Sequence, residues 1–132
     1  ITTIANGGFF LSSNGNQVYF HSARYGGVGG CDIWMIKRTA TGGWSAPVNP
    51  AKPLNSMAHE VDPSVSPDGR YLFFVRLGAN KTAQGEITGK IFMSERNGRD
   101  GWKEGHRVER AGSAAGGGAL WMGRQSVGDE FI

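Results

Sequence analysis

The chain is 132 residues long, one ordinary domain's worth, and its 14 Lys and Arg against 11 Asp and Glu leave a net charge of only +3. No run of like charge exceeds two residues, which excludes the basic stripe of a nucleic-acid binder, so no nucleic-acid partner is expected. Aromatics at 11% and charged residues at 19% exclude a disordered chain, and 22 glycines without a Gly-X-Y period exclude collagen and predict many tight turns.

In chain order, Leu11-Ser12-Ser13-Asn14-Gly15 reads as a short strand entering a turn at Asn14 and Gly15. Val18 to Ser22 returns as a strand rich in β-formers. A glycine loop, Tyr25 to Gly30, precedes a third strand over 32–37, which is apolar on consecutive residues and must therefore be covered on both faces. Trp44 to Val48 reads as a fourth strand, with Pro47 suited to an edge. Residues 49–60 then link to a second set. Val65 and its neighbours form a strand, Pro67-Asp68-Gly69 a turn, Tyr71 to Leu77 and Lys90 to Arg96 two further strands, and Trp102 opens a fourth. The hairpin between them, Gly78 to Gly89, is polar and expected to be mobile. No helix is predicted.

The two sets are copies of one another. Asn14 corresponds to Asp68, Gly15 to Gly69 and Phe20 to Phe74, each 54 residues apart. Ile33 corresponds to Ile91, Met35 to Met93 and Trp44 to Trp102, now 58 apart, with the insertion falling between Val75 and Lys90. Gly117 to Met122 and Glu130 to Ile132 echo the start of the pattern a third time. A period of this size in short strands is the signature of stacked β units, each unable to bury its apolar surface alone. The fold class expected is all-β, a β-propeller of four-stranded antiparallel meander blades. The chain holds about two and a half of these in a single segment, 1–132: blade one about 7–56, blade two about 59–110, and part of blade three about 115–132.

Glu60-Val61-Asp62-Pro63-Ser64-Val65-Ser66-Pro67-Asp68-Gly69-Arg70-Tyr71-Leu72-Phe73-Phe74 resembles the WD40-like β-propeller repeat of the TolB type, often called PD40. Gly29-Gly30-Cys31-Asp32-Ile33-Trp34 is similar to the Gly-Gly-x-Asp-Ile-aromatic stretch of the same blades. Trp44 to Asn49 with Pro53 to Ser56 is similar to the link in copies joined to OmpA-like, peptidoglycan-binding domains. The resemblance covers Phe9 to about Val108, with Ser13-Asn14-Gly15 departing from Pro-Asp-Gly in the first copy. It implies a rigid scaffold that binds a protein or a cell-envelope glycan in a bacterial periplasmic or extracellular setting. It equally admits the propeller part of a carbohydrate-active or peptidase-linked enzyme whose catalytic residues lie elsewhere. Closed propellers of this kind usually need six or seven blades. Either the chain, which opens at Ile1 without a methionine, is cut from something longer, or copies assemble as a homo-oligomer that closes a ring.

No catalytic constellation is legible and no cofactor is expected. Cys31 stands alone, so no intrachain disulfide or cysteine metal site can form, and it reads as a small buried hydrophobe. His21, His59 and His106 fall at non-equivalent positions without a metal-binding spacing. No stretch approaches ~18 continuous apolar residues, so no membrane-spanning helix is predicted. Asn14, Gly15, Asp68 and Gly69 are assigned to turn structure, the acid or amide capping its own turn and the glycine taking positive φ. The binding candidates are His59, Glu60 and Asp62, at the mouth of a propeller channel, where the two acids can accept hydrogen bonds from a sugar hydroxyl or a partner's Arg. The plainer reading is that they bond backbone amides between blades. Arg24 and Tyr25, beside the glycine loop, form a second candidate surface.

Overall fold

The computed structural model describes residues 6–81, 83–85 and 87–108, and all of its regular elements are strands. The first sheet has the order β1-β2-β3, from β1 (Asn6–Leu11), β2 (Gln17–Ser22) and β3 (Asp32–Lys37). In the second, β4 (His59–Val65), β5 (Tyr71–Lys81) and β6 (Ile87–Asn97) pair in sequence, and the short β7 (Gly101–Trp102) and β8 (His106–Arg107) both pair with β6. Every pairing is antiparallel. The partial third copy expected over 115–132 lies outside the described residues.

Two expectations need correction. Trp44 to Val48 is not a continuous strand: it touches the first sheet through single bridges, Arg38 to Trp44 and Met35 to Val48. At Ile33 the β3 edge is satisfied by a side chain instead. The Asn55 amide accepts from the Ile33 N–H at 2.8 Å and donates to the Ile33 carbonyl at 3.0 Å, standing in for a neighbouring strand. The hairpin beyond Leu77 is also not a loose loop from Gly78 to Gly89. β5 and β6 run on into it and stay paired out to Lys81 and Ile87.

The turns at the ends of β1 and β4 make the same bonds 54 residues apart. Ser12 Oγ donates to Asn14 Oδ1 at 2.7 Å, and Ser66 Oγ donates to Asp68 Oδ1 at 2.6 Å. The N–H two residues on, from Asn16 and Arg70, donates to the same acceptor atoms at 2.9 and 3.0 Å. Gly15 and Gly69 take φ of 75° and 78°, where a side chain is disfavoured. Further along, the Arg38 and Arg96 guanidiniums each lie 4.4 Å from the ring centroid of Trp44 and Trp102, and each donates through Nε to the turn-glycine carbonyl.

The core lies between the sheets. Tyr19, Ile33 and Met35 project from one face of the first sheet, and Val65, Leu72, Phe74 and Trp102 come from the second, with Leu54 of the link filling in. Tyr19 and Trp102 meet edge to face, centroids 6.1 Å apart. At the rim, Lys37 Nζ donates to Asp100 Oδ2 at 2.9 Å and Ser13 Oγ to the Pro67 carbonyl at 2.7 Å. The consecutive apolar run of β3 is buried on both faces, from Asp32 through Met35.

Candidate functional site

The topology brings all five candidate residues to one end of the sheets, where β1, β3 and β4 begin and β2 ends. They do different things there. Glu60 has no accessible surface. Its carboxylate accepts from the Ser56 N–H at 3.1 Å, from Ser56 Oγ, and from Arg76 Nε at 2.9 Å, while its own N–H donates to the Cys31 carbonyl. Arg76 is held further by the Leu54 carbonyl at 3.1 Å and lies over the Phe74 and Phe92 rings. The first sheet builds a counterpart from different residues. Arg24 lies over Phe20 and Trp34, and it donates to Ser22 Oγ at 3.0 Å and to Asn6 Oδ1 at 3.2 Å. Asn6 stands 54 residues before Glu60. The arginine, however, comes from two residues beyond the position matching Arg76, which is Ser22. Both guanidiniums therefore cap an aromatic pair.

His59 and Asp62 are exposed, and each is engaged with the first sheet. The Cys31 N–H donates to His59 Nδ1 at 2.9 Å, and the Asp62 N–H donates to His21 Nδ1 at 3.1 Å. Asp62 sits in a β-bulge between Val61 and Ser64 with φ of 54°. The matching bulge in β1 places Gly8, φ 61°, against the same His21 ring. The Asp62 carboxylate is left on the surface. Tyr25 is fully exposed.

The loop carrying Tyr25 is held from below by Asp32, a residue that the sequence reading placed only in a motif. Asp32 is fully buried; its carboxylate accepts from the Val28 N–H, from the Gly29 N–H at 3.3 Å and from Asn49 Nδ2 at 3.0 Å. A Cβ on Gly27, Gly29 or Gly30 would collide with Asp32, the Ser56–Met57 backbone or His59 respectively. The glycines thus permit close packing of residues 27–30 against Asp32, the Ser56–Met57 backbone and His59. Cys31 lies half-buried beside it, and burial first, then the Asp32 and Glu60 carboxylates, push its thiol up from the ordinary range.

The opposite end of the sheets, at the Asn14 and Asp68 turns, holds an open groove of about 780 Å³ between the sheets, lined by residues including Lys37, Arg38, Arg70, Arg96, Arg99 and Asp100. Three of its basic side chains are committed, Lys37 to Asp100 and Arg38 and Arg96 to turn carbonyls. Among the described residues no group of three or more His, Cys, Asp or Glu converges as a metal site, and no helix is long and apolar enough to cross a membrane. No protein-family model, curated protein or solved structure matches the chain.

Proposed function

We propose that the chain is a stacked-blade, propeller-type scaffold of the TolB-like kind with a non-catalytic binding role, and that the β1/β4 end takes a protein or a cell-envelope glycan in a bacterial extracytoplasmic setting. One observation carries the binding role: Tyr25 stands fully exposed at the start of a loop whose Val28 and Gly29 N–H groups are held by a buried carboxylate. An aromatic held out on a rigid base offers contact area at little ordering cost when a partner arrives. Arg24 beside it and the surface carboxylate of Asp62 supply polar contacts of both signs. Glu60 contributes indirectly, by fixing Ser56 and Arg76 beneath the site. The extracytoplasmic setting and the glycan class rest on the resemblance of the Glu60–Phe74 and Gly29–Trp34 segments and of the link, Trp44–Asn49 with Pro53–Ser56.

The test is calorimetric titration of the chain with soluble disaccharide-peptide fragments of peptidoglycan, beside capture of envelope proteins on immobilised chain. Tyr25→Ala is expected to leave the unfolding midpoint unchanged and to weaken binding by about tenfold or more. Binding that survives the substitution undiminished would sink this placement of the site, and absence of both glycan and protein binding would sink the role.

A further inference from the structure

We propose that the open groove between the sheets, at the end opposite Tyr25, is a second binding site that takes a small anion through its carboxylate or phosphate oxygens, gripped by Arg70 and Arg99. Positive charge is gathered there. Five basic residues and two acids line the groove, an excess of three, while the whole chain carries 14 Lys and Arg against 11 Asp and Glu. One cleft of about 780 Å³, within the size range of small-molecule sites, thus holds an excess as large as that of the entire molecule. Charge of one sign focused in a cleft raises the local concentration of an anion before any contact forms.

The structural bonds of these residues leave most of that charge in place. Lys37 is neutralised, since its partner is the Asp100 carboxylate at 2.9 Å. Arg38 and Arg96 donate instead to backbone carbonyls and lie over tryptophan rings, which position a guanidinium without cancelling its charge. Arg70 lies over the Tyr71 ring and meets Glu95 only at 4.0 Å, a carboxylate that Lys103 approaches more closely at 3.3 Å. With 62% of the Arg70 side chain exposed, solvent screens that pair. Arg99 is exposed, and among the described residues no side chain pairs with its guanidinium.

These last two arginines also stand on one clamp. Arg96 donates through Nε to the Gly69 carbonyl and through Nη1 to the Arg99 carbonyl, both at 2.7 Å. Its own N–H donates to the Arg70 carbonyl at 2.8 Å, and the Arg70 N–H donates to Asp68 Oδ1 at 3.0 Å. The backbone at 69–70 and at 99 is therefore tied to a single residue packed on the buried Trp102, while the Arg70 and Arg99 side chains reach into solvent. Guanidiniums on anchored backbone have less freedom to lose on gripping an oxyanion, and their paired N–H groups match the edge of a carboxylate or a phosphate. This does not depend on what the Tyr25 end binds.

The experiment is calorimetric titration of the full chain at low salt with citrate and, separately, with inorganic phosphate. At least one is expected to bind with a dissociation constant below about 1 mM, and which one binds identifies the oxyanion. Arg70→Gln and Arg99→Gln are each expected to weaken binding by about tenfold. Arg107→Gln removes the same charge from β8, outside the groove, and is expected to bind like wild type. All three positions are exposed, and circular dichroism with a thermal melt establishes that the variants fold. Failure of both anions to bind overturns the proposal. Binding that falls equally in all three variants overturns it too, because net charge alone then explains it, as does binding that neither groove variant weakens.

Discussion

At the scale of single residues the most consequential group is Glu60 with Arg76. A carboxylate with no solvent contact is tolerated because Arg76 and Ser56 satisfy both of its oxygens. Replacing Arg76 by Ala strands that charge and also uncovers Phe92. The expected cost is roughly 3 kcal/mol, read from the urea midpoint at constant slope. A cost under about 1 kcal/mol would show that the Glu60 carboxylate finds other partners when Arg76 is gone. Asp68 carries a different lesson. Bonds first from Ser66 and then from the Arg70 N–H hold its carboxyl below the usual carboxylate range. A lowered folded pKa contributes stability that is present above the unfolded pKa, near 3.9, and is lost as pH falls through the folded value. Asn14 performs the same bonding without charge in the first turn. Asp68→Asn is therefore expected to be nearly neutral at pH 7 and to flatten the acid limb of the stability profile below about pH 4, measured by melts across pH. An unchanged acid limb would assign it to other carboxylates. Cys31 is expected to react slowly with iodoacetamide at pH 7, because burial and two neighbouring carboxylates disfavour its thiolate. Alkylation as fast as that of a free thiol would contradict this.

At the scale of elements, strand order and turn chemistry were legible because short-range rules govern them. Asn14-Gly15 and Asp68-Gly69 each announce a turn whose geometry their own side chains enforce. The 32–37 strand was found to the residue, since a run apolar on consecutive positions has to be covered on both sides. The fourth strand was over-read. Trp44 to Val48 does bond to the Met35–Arg38 edge, but Pro47 between the two bridges has no N–H to continue the ladder, and at Ile33 the edge is held by Asn55, whose role depends on a link that periodicity does not describe. The 78–89 hairpin was under-read because its polar composition hid a ladder that is set by β5 pairing and not by burial. The bulges were also missed. In β1 and β4 their sign is a residue at positive φ, and in β4 that residue is Asp62, which carries no glycine flag. Gly8 is the other, and its Cβ would stand 2.8 Å from His21 Nδ1 and 3.0 Å from Asp62 Cα. Gly8→Ala is expected to cost more than about 1 kcal/mol, through both the backbone conformation and the clash. A neutral outcome in chemical denaturation would mean that β1 pairs without its bulge.

At the scale of the whole molecule, what the sequence could not reveal was which copy of each repeated residue is buried. Trp44 and Trp102 are matched by spacing, by turn and by the arginine above each ring. The structure separates them. Trp102 is sealed between the sheets against Tyr19 and is 2% exposed, while Trp44, at the edge of the first sheet under Arg38, is 41% exposed. Burial here belongs to the contact between units, so a residue's worth depends on whether a neighbouring unit is present. Trp102→Ala in the dilute chain opens a cavity in the shared core and is expected to cost about 3 to 5 kcal/mol. Because that core joins the two sheets, the loss should lower one cooperative transition and not unfold the second sheet separately. Trp44→Ala removes an exposed ring and its contact with Arg38, and at the same dilution is expected to cost about 1 kcal/mol or less. Urea unfolding followed by far-ultraviolet dichroism at low micromolar concentration distinguishes the two. Equal costs would show that the two tryptophans pack alike in solution, and the asymmetry between the inner and outer faces of these sheets would fall with it.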